Sequence, residues 1–352
     1  MKEETLSRYL RRIASSVGYA CLSRVYRRQE VLYAFLDLFS ISLPTFGFFY
    51  FLVLAEMERI RLGCTSCHLV LVHGTRKKKG KGSLKEQIAY SPDVLWRLQN
   101  IFIPAIALMP SCRQFTLASR EDAFLIQTLQ AKHIYPRGYR VEAPVEGCRI
   151  YALTEAARKG QPIPSIRPTP RAFEFIRQWM DTVPGKRKVI TLNLREAPYA
   201  NLRNSNLAAW AQFARHLDKT VYYPVFVRDT YTALDPLPQE LDGFPIFREM
   251  PWHLDLRAAL YEKSYLNLFV NNGPAVLCIL NEKTRYIVLK QLTPGYRNTS
   301  VEDLRLKAGL SLGDQWPWAN AYQRVVWEGG DDFEILEKEF KEMCGKIENE
   351  TN

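Results

Sequence analysis

An α/β fold made of two parallel-sheet domains is predicted by three features of the sequence. Apolar, strand-length runs alternate with helical periodicity along both halves of the chain, and strands alternating with helices form parallel sheets covered on both faces. The 352 residues exceed the roughly 250–300 that one hydrophobic core usually organises. A Pro-rich stretch at 161–170, with Pro162, Pro164, Pro168 and Pro170, divides the two series. Proline neither continues a helix nor donates in a central strand, so this stretch is expected to be a stiff, extended linker. The 47% apolar content excludes a disordered chain.

The elements follow in order. Residues 1–30 interleave Arg8, Arg11, Arg12, Arg24, Arg27 and Arg28 with Leu6, Leu10, Ile13, Val17 and Leu22. That pattern predicts a basic amphipathic helix, either lying on an anionic bilayer or packed on the first domain. No apolar core follows the early charges directly, so no cleavable signal peptide is expected. Residues 31–160 are assigned to the first domain: a strand at 31–38, a helix at 45–62 closed by Gly63, a second strand at 68–74, and a third at 100–109 despite Pro104. The apolar run 31–55 contains Asp37, Pro44 and Gly47 and breaks into two pieces. A membrane-spanning helix needs about 20 mainly apolar residues without such breaks.

Beyond the linker, residues 171–330 form the second domain. A helix at 171–180 leads to a strand at 188–194 that ends at Arg195-Glu196. A loop with Asn201, Arg203, Asn204 and Ser205 precedes a helix at 207–217, and the strand 222–227 ends at Arg228-Asp229-Thr230. A short strand at 244–247 runs through Pro251-Trp252-His253 into a helix at 254–263. The strand 266–270 enters the turn Asn271-Asn272-Gly273-Pro274, a short apolar helix follows, and a last strand occupies 285–289. Residues 331–352 carry a C-terminal helix over 333–347.

The net charge of +11 favours acidic partners: nucleotide phosphates, nucleic acid or an anionic membrane surface. Lys77, Lys78, Lys79, Lys81 and Lys85 fall in a Gly-containing loop with no nucleic-acid recognition motif beside it, so no specific nucleic-acid partner is expected. Seven scattered Cys in a chain of this size point to a reducing compartment. Cys64 and Cys67 form a lone CxxC pair, and the five His show no metal-ligand spacing, so no metal site is expected. Neither a Walker loop nor a GxGxxG fingerprint is present.

The turn 271–274 is the most informative segment. Asn272 is a good N-cap, Gly273 allows close backbone approach, and Pro274 suits a first helical turn. A helix start at the carboxyl edge of a parallel sheet suits a phosphate or diphosphate. An ordinary strand-to-helix connection with a sound cap accounts for the same residues.

Residues 185–290 resemble the donor domain of GT-B glycosyltransferases. The Val270-Asn271-Asn272-Gly273-Pro274 turn is similar to the Gly-Pro turn before the diphosphate helix of the ADP-heptose transferase group, and the Arg195/Arg203 region resembles the Arg-bearing loops of fucosyltransferase-type GT-B proteins. The heptosyltransferase Asp-Thr-Gly-Pro has become Asn271-Asn272-Gly273-Pro274, which argues against a heptose donor. The first half matches in architecture alone. The resemblance implies two facing Rossmann-like domains and metal-independent transfer of a sugar from a nucleotide-sugar to a glycan or lipid-linked acceptor. Such a reaction belongs to surface-polysaccharide assembly at a cytoplasmic location, with or without peripheral contact with the inner face of an anionic membrane. It requires no cofactor beyond the nucleotide-sugar substrate. Arg195, Arg203, Asn271, Asn272, Gly273 and Pro274 would hold the diphosphate, Arg228 and Asp229 would reach the ribose or phosphates, and Trp252 would stack on the base.

The base for the acceptor hydroxyl is expected from the first domain across the cleft: Asp37 first, tuned by an apolar setting, then His73, with Glu196 third on the donor side. For each residue a structural role competes: a turn brace for Asp37, ion pairs for the Arg residues, core packing for Trp252. Two other functions fit the same sequence, a catalytically silent GT-B-like scaffold that binds a nucleotide or glycan, and a nucleic-acid-binding protein.

Overall fold

The structure is a computed structural model that describes residues 28–38, 46–73 and 92–349. The basic segment 1–27 and the Lys-rich loop at 77–85 lie outside the described residues. In chain order the elements are β1 (Arg28–Asp37), α1 (Phe48–Arg61), β2 (Ser66–Val72), α2 (Pro92–Arg97), α3 (Ile103–Ala107), β3 (Cys112–Ala118), α4 (Arg120–Leu125), β4 (Ala131–Tyr135), α5 (Ile150–Arg158) and α6 (Pro170–Thr182). Then come β5 (Lys188–Asn193), α7 (Leu207–His216), β6 (Tyr222–Val227), α8 (Leu254–Lys263), β7 (Leu266–Val270), α9 (Val276–Ile279), β8 (Tyr286–Leu289), α10 (Val301–Ala308), β9 (Gln323–Val325) and α11 (Phe333–Asn349). The chain divides into two compact units, the first within 1–44, 51–97 and 110–148, the second within 45–50, 98–109 and 149–352.

The first unit is built on a parallel sheet of order β3-β2-β1-β4. Residues 32–36 of β1 are buried without alternation, as a central strand covered on both faces requires. β1 and β2 pair in register from Val31↔Ser66 to Asp37↔Val72. α1 ends where Gly63 turns left-handed at φ 67° and Cys64 N–H donates back to the Arg59 carbonyl at 3.1 Å. Its last turns carry Glu56, Glu58, Arg59 and Arg61, and no helix among the described residues is long and apolar enough to cross a membrane.

The second unit is a parallel sheet of order β6-β5-β7-β8-β9. Ile190, Leu192, Leu266, Leu268 and Ile287 point to one face, where they meet Trp210 and Phe213 of α7 and Leu336, Phe340 and Met343 of α11. Val189, Val225 and Val227 point to the other, against Ile176 of α6 and Ala259 and Leu260 of α8.

Three expectations are corrected. Residues 100–109 are helical, not a strand: a wide helical turn at Leu98–Phe102 runs directly into α3, with Pro104 in the first turn of α3. The third and fourth strands of the first sheet are β3 and β4. The Pro-rich stretch is extended but is not a free linker. Ile166 is buried, its N–H donates to the Leu280 carbonyl at 2.9 Å, and Arg167 N–H donates to Leu108 at 2.8 Å. Thr169 caps α6 and donates its N–H to Asp255 at 2.9 Å. The stretch is therefore a strap within the second unit, and the change of unit falls after residue 148.

Glu58 ties α1 to the turn after β4. Its carboxylate accepts from Arg61 at 2.7 and 2.8 Å and from Arg137 at 2.8 and 2.9 Å. The Arg61 bonds, helped by those of Arg137, outweigh burial and hold the Glu58 carboxyl at about 2 instead of its ordinary 4.5. A depressed carboxyl stabilises the fold above its unfolded value and loses that contribution as pH falls toward the folded one. The melting-temperature gap between wild type and Glu58→Gln is therefore expected to be full at pH 7 and to close between about pH 4.5 and 2. Both arginines are exposed, so the gap is expected to be modest.

Candidate functional site

In the second sheet the chain runs from β5 outward to β6 and then returns to the other side of β5 as β7. That reversal makes the carboxyl ends of β5 and β7 a topological switch point, the place where open α/β sheets take ligands. The turn 271–274 lies there. Asn271 donates its N–H to Leu289 and its side-chain amide to the Gln291 carbonyl, both at 3.0 Å. Asn272 is extended, and its side chain caps the following turn by accepting from Ala275 N–H at 3.2 Å. The helix it opens is short, one tight turn at Gly273–Ala275 followed by α9, so its dipole supplies little field. Gly273 is required for a reason absent from the sequence reading. A Cβ there would lie 2.7 Å from the Phe46 ring, so a side chain, not a phosphate, occupies its open face.

Arg195 and Arg203, expected to act together on phosphate, have different roles. Arg195 is buried, and its guanidinium donates to the Ala200 carbonyl at 3.2 Å, the Tyr199 carbonyl at 3.0 Å and the Asn204 side-chain oxygen. It shapes the loop 196–204, in which Ala200 takes a left-handed φ of 53°. Arg203, carried by that loop, donates from Nη2 to the Asn271 carbonyl at 3.1 Å. Its buried Nε has no acceptor, and no carboxylate among the described residues pairs with it. Burial, and then the charge of Arg195, lower its pKa. Arg203 is thus a half-buried cation fastened beside the switch point, with no counter-ion among the described residues.

Arg228 and Asp229, expected at the ribose or phosphates, are instead committed to Glu196. Arg228 grips its carboxylate through Nη2 at 2.8 Å and Nε at 3.1 Å and donates Nη1 to the Asp235 carbonyl at 3.1 Å. Asp229 accepts from the N–H groups of Glu196 and Tyr231, each at 3.2 Å. The paired strands β5 and β6 end level, so the charges just past them meet each other. The same pairing engages Glu196, the third candidate base. Trp252 is partly exposed, in a turn held beside the end of β6 by Thr230 Oγ1 donating to the Pro251 carbonyl at 3.4 Å.

Residues that the sequence did not single out complete the region. Lys290, just past β8, donates from Nζ to the Asn204 carbonyl at 2.9 Å and pairs with the buried Asp331 at 3.0 Å. Asp331 also accepts from Trp210 Nε1 at 2.8 Å and Asn206 N–H at 2.7 Å. Arg257, Tyr261, Asn193, Thr191 and Asn267 form a buried polar seam on the α8 face of the sheet. Position at a strand end was the available signal for Lys290, and the Gly-Gly-Asp-Asp loop for Asp331. Two cavities of about 360 and 380 Å³ lie elsewhere, around Lys263 and Lys283; the second reaches the first residues of β5. They border the amino edge of the sheet, away from the switch point.

In the first unit Asp37 is the last residue of β1, between β2 and β4, and so stands at that sheet's own switch point. The apolar setting expected for it is absent. Its fully enclosed carboxylate pairs with Arg120 Nη2 at 2.7 Å, and Arg120 Nη1 donates to the Val141 carbonyl at 2.9 Å. His73 is exposed one residue past β2, its N–H donating to Ala118 at 2.9 Å.

No protein-family model matches the chain, and no curated protein matches it in sequence. Among solved structures it is similar to E. coli ADP-heptose LPS heptosyltransferase II, with a TM-score of 0.53 at 10% identity, over 91% of this chain and 99% of that one. Two weaker similarities are to E. coli heptosyltransferase WaaC with ADP (0.42, 11% identity, 89% and 99% covered) and to the glycosyl transferase family 9 protein from Veillonella parvula (0.40, 12%, 74% and 80%). The first of these shows the fold. The chain has an α/β fold of the GT-B type, each of its units built on a parallel sheet.

The Phe46 contact generates a test. Gly273→Ala is expected to lower stability by about 1–3 kcal/mol through overpacking. In a Phe46→Ala background the same substitution is expected to have less than half that effect, as measured by a denaturation double-mutant cycle. Additive effects would show that Phe46 is not the constraint.

Proposed function

We propose that this chain is a metal-independent glycosyltransferase that takes a sugar from a nucleotide-sugar and passes it to a glycan or lipid-linked acceptor in surface-polymer assembly. The GT-B-type fold supports this class, and one observation carries the reading: Arg203, a guanidinium with no carboxylate partner among the described residues, fixed at the β5/β7 switch point. A departing nucleoside diphosphate develops negative charge, and a cation held in place beforehand stabilises it without reorganisation. The planar fork of Arg203 can donate to two phosphate oxygens while its Nη2 stays on the turn. Arg195 and Lys290 act on the same loop as positioning residues, one by shaping it and the other by holding Asn204. Asn271 contributes its carbonyl and Asn272 the cap, which keep the turn in shape.

For the acceptor we assign proton removal to Asp37. Its place at the switch point of the first sheet supports this, with Arg120 fixing the carboxylate. The enclosure of Asp37 favours a second reading, nucleotide or glycan binding without turnover.

Nucleoside diphosphates are expected to raise the melting temperature of the wild-type protein by mass action. Arg203→Ala is expected to weaken that binding about tenfold or more, the loss of a charge-assisted bond, without lowering the ligand-free melting temperature. A nucleoside-diphosphate panel that leaves the wild type unmoved would remove the donor assignment. Asp37→Asn is expected to keep diphosphate binding and lose about 10²- to 10⁴-fold in transfer rate. Full activity would move the base to His73, and a lower melting temperature with activity intact would make Asp37 a brace.

A further inference from the structure

The α8 face of the second sheet changes character along β5 and β7. It is apolar at Val189 and Val225, but Thr191, Asn193 and Asn267 are polar and fully buried. Their hydrogen bonds close on one another. Thr191 Oγ1 donates to Asn267 Oδ1 at 2.7 Å, and Asn193 Nδ2 donates to Thr191 Oγ1 at 3.0 Å and to the Leu268 carbonyl at 3.1 Å. Asn267 Nδ2 donates to the Tyr261 and Arg285 carbonyls, both at 2.9 Å. The Tyr261 hydroxyl donates to Asn193 Oδ1 and accepts from Arg257 Nε at 2.6 Å.

Arg257 is the charged member of this seam. It is 3% exposed. Among the described residues no carboxylate pairs with it: Nε donates to the Tyr261 hydroxyl, the guanidinium lies 5.7 Å from the centre of the Tyr261 ring, and the terminal nitrogens make no hydrogen bond and keep a narrow opening to solvent. Its neighbours do not neutralise it. Burial pushes the Tyr261 hydroxyl well above its ordinary pKa, with the charge of Arg257 only partly opposing. Burial likewise raises the Cys278 thiol of α9, against a bond with Thr284 and the Arg257 charge. A nearly enclosed guanidinium without a counter-charge is unfavourable, a penalty that a resident carboxylate would relieve. None pairs with Arg257 among the described residues, and an anion reaching its terminal nitrogens would supply the counter-charge.

Its position identifies that ligand. The Tyr261 hydroxyl links Arg257 to Asn193, the last residue of β5, while Arg203 is fastened to the carbonyl just past β7. Arg195, at the same strand end, has its terminal nitrogens taken up by carbonyls and Asn204, which leaves Arg203 and Arg257 as the guanidiniums with unengaged donors tied to this pair of strand ends. We propose that Arg257 is a phosphate-binding residue that selects a diphosphate over a monophosphate, with the Asn193–Tyr261 pair as its positioning element. This rests on the nucleotide-sugar reading above and assigns a second cation to it.

The test is titration calorimetry with a nucleoside monophosphate, the matching diphosphate and inorganic pyrophosphate, at fixed ionic strength, on wild type, Arg257→Gln, Arg257→Lys and Tyr261→Phe. Wild type is expected to bind the diphosphate more tightly than the monophosphate. Arg257→Gln is expected to lose at least tenfold for diphosphate and pyrophosphate and little for the monophosphate. Arg257→Lys, with charge but no fork, and Tyr261→Phe, with the Arg unpositioned, are expected to fall between. Should Arg257→Gln fail to fold, the last two variants decide on the same diphosphate-to-monophosphate ratio. An unchanged ratio in folded variants overturns the role of Arg257 and leaves the nucleotide reading standing. A wild type that binds none of the three ligands overturns both.

Discussion

The hydrogen bonds of Asn193 join β5 to β7 where the chain reverses its direction of travel across the second sheet. Parallel pairs are normally covered on both faces, and on the α8 face part of that cover, at Thr191, Asn193, Asn267 and Tyr261, is polar. Asn193 bonds to the Leu268 carbonyl of β7, to Thr191 of its own strand and to Tyr261 of α8. One side chain therefore sets the spacing of the strand ends and the seating of α8. The loops that follow β5 and β7 inherit their starting points from it, and with them the positions of Arg203 and the turn 271–274.

Around this point the cations separate into two kinds. Arg195 and Arg228 are buried and satisfied: the first by carbonyls and Asn204, the second by a two-point grip on Glu196. Such residues set shape, because their donors are already engaged and any ligand would first have to displace a partner. Arg203 is half-buried and Arg257 nearly enclosed, and among the described residues neither has a carboxylate partner, an arrangement that an anion would relieve. Lys290 lies between these cases, paired with Asp331 yet fastened to the loop that carries Arg203. The satisfied charges hold the geometry in which the unsatisfied ones are presented.

How much of this was legible in the sequence depended on burial. Strands covered on both faces, such as Leu32–Leu36 of β1 and all of β7, stand out as unbroken apolar runs and were placed nearly to the residue. β3 was missed because it lies at the edge of its sheet, exposing Phe115 and Leu117 and mixing them with Arg113 and Gln114. β9 is three residues long, too short for any period. The helical segment around Ile101–Ile106 was taken for a strand because burial on several sides erases the 3.6-residue pattern. At the site, position was legible and partnership was not. Arg195, Arg203 and Arg228 all follow strands, and nothing local distinguishes Arg203, whose buried Nε has no acceptor, from Arg195, held by carbonyls and Asn204, or Arg228, paired with Glu196. Arg257 lies inside a helix, so the strand-end rule could not reach it at all.

The turn 271–274 shows how fold and chemistry separate at this level of identity. Its likeness to the heptosyltransferase turn lies in the Gly-Pro step and the helix that follows. The acid of that turn is replaced by Asn271, whose side-chain amide donates to the Gln291 carbonyl. A carboxylate at 271 would face that carbonyl with no hydrogen to offer, leaving two acceptors opposed. Its negative charge would also stand beside the carbonyl that receives Arg203 and would draw the guanidinium into an internal ion pair. With an amide there instead, Arg203 has no such internal partner. The same backbone thus carries a different distribution of charge, set by Arg203 and its neighbours as well as by the turn.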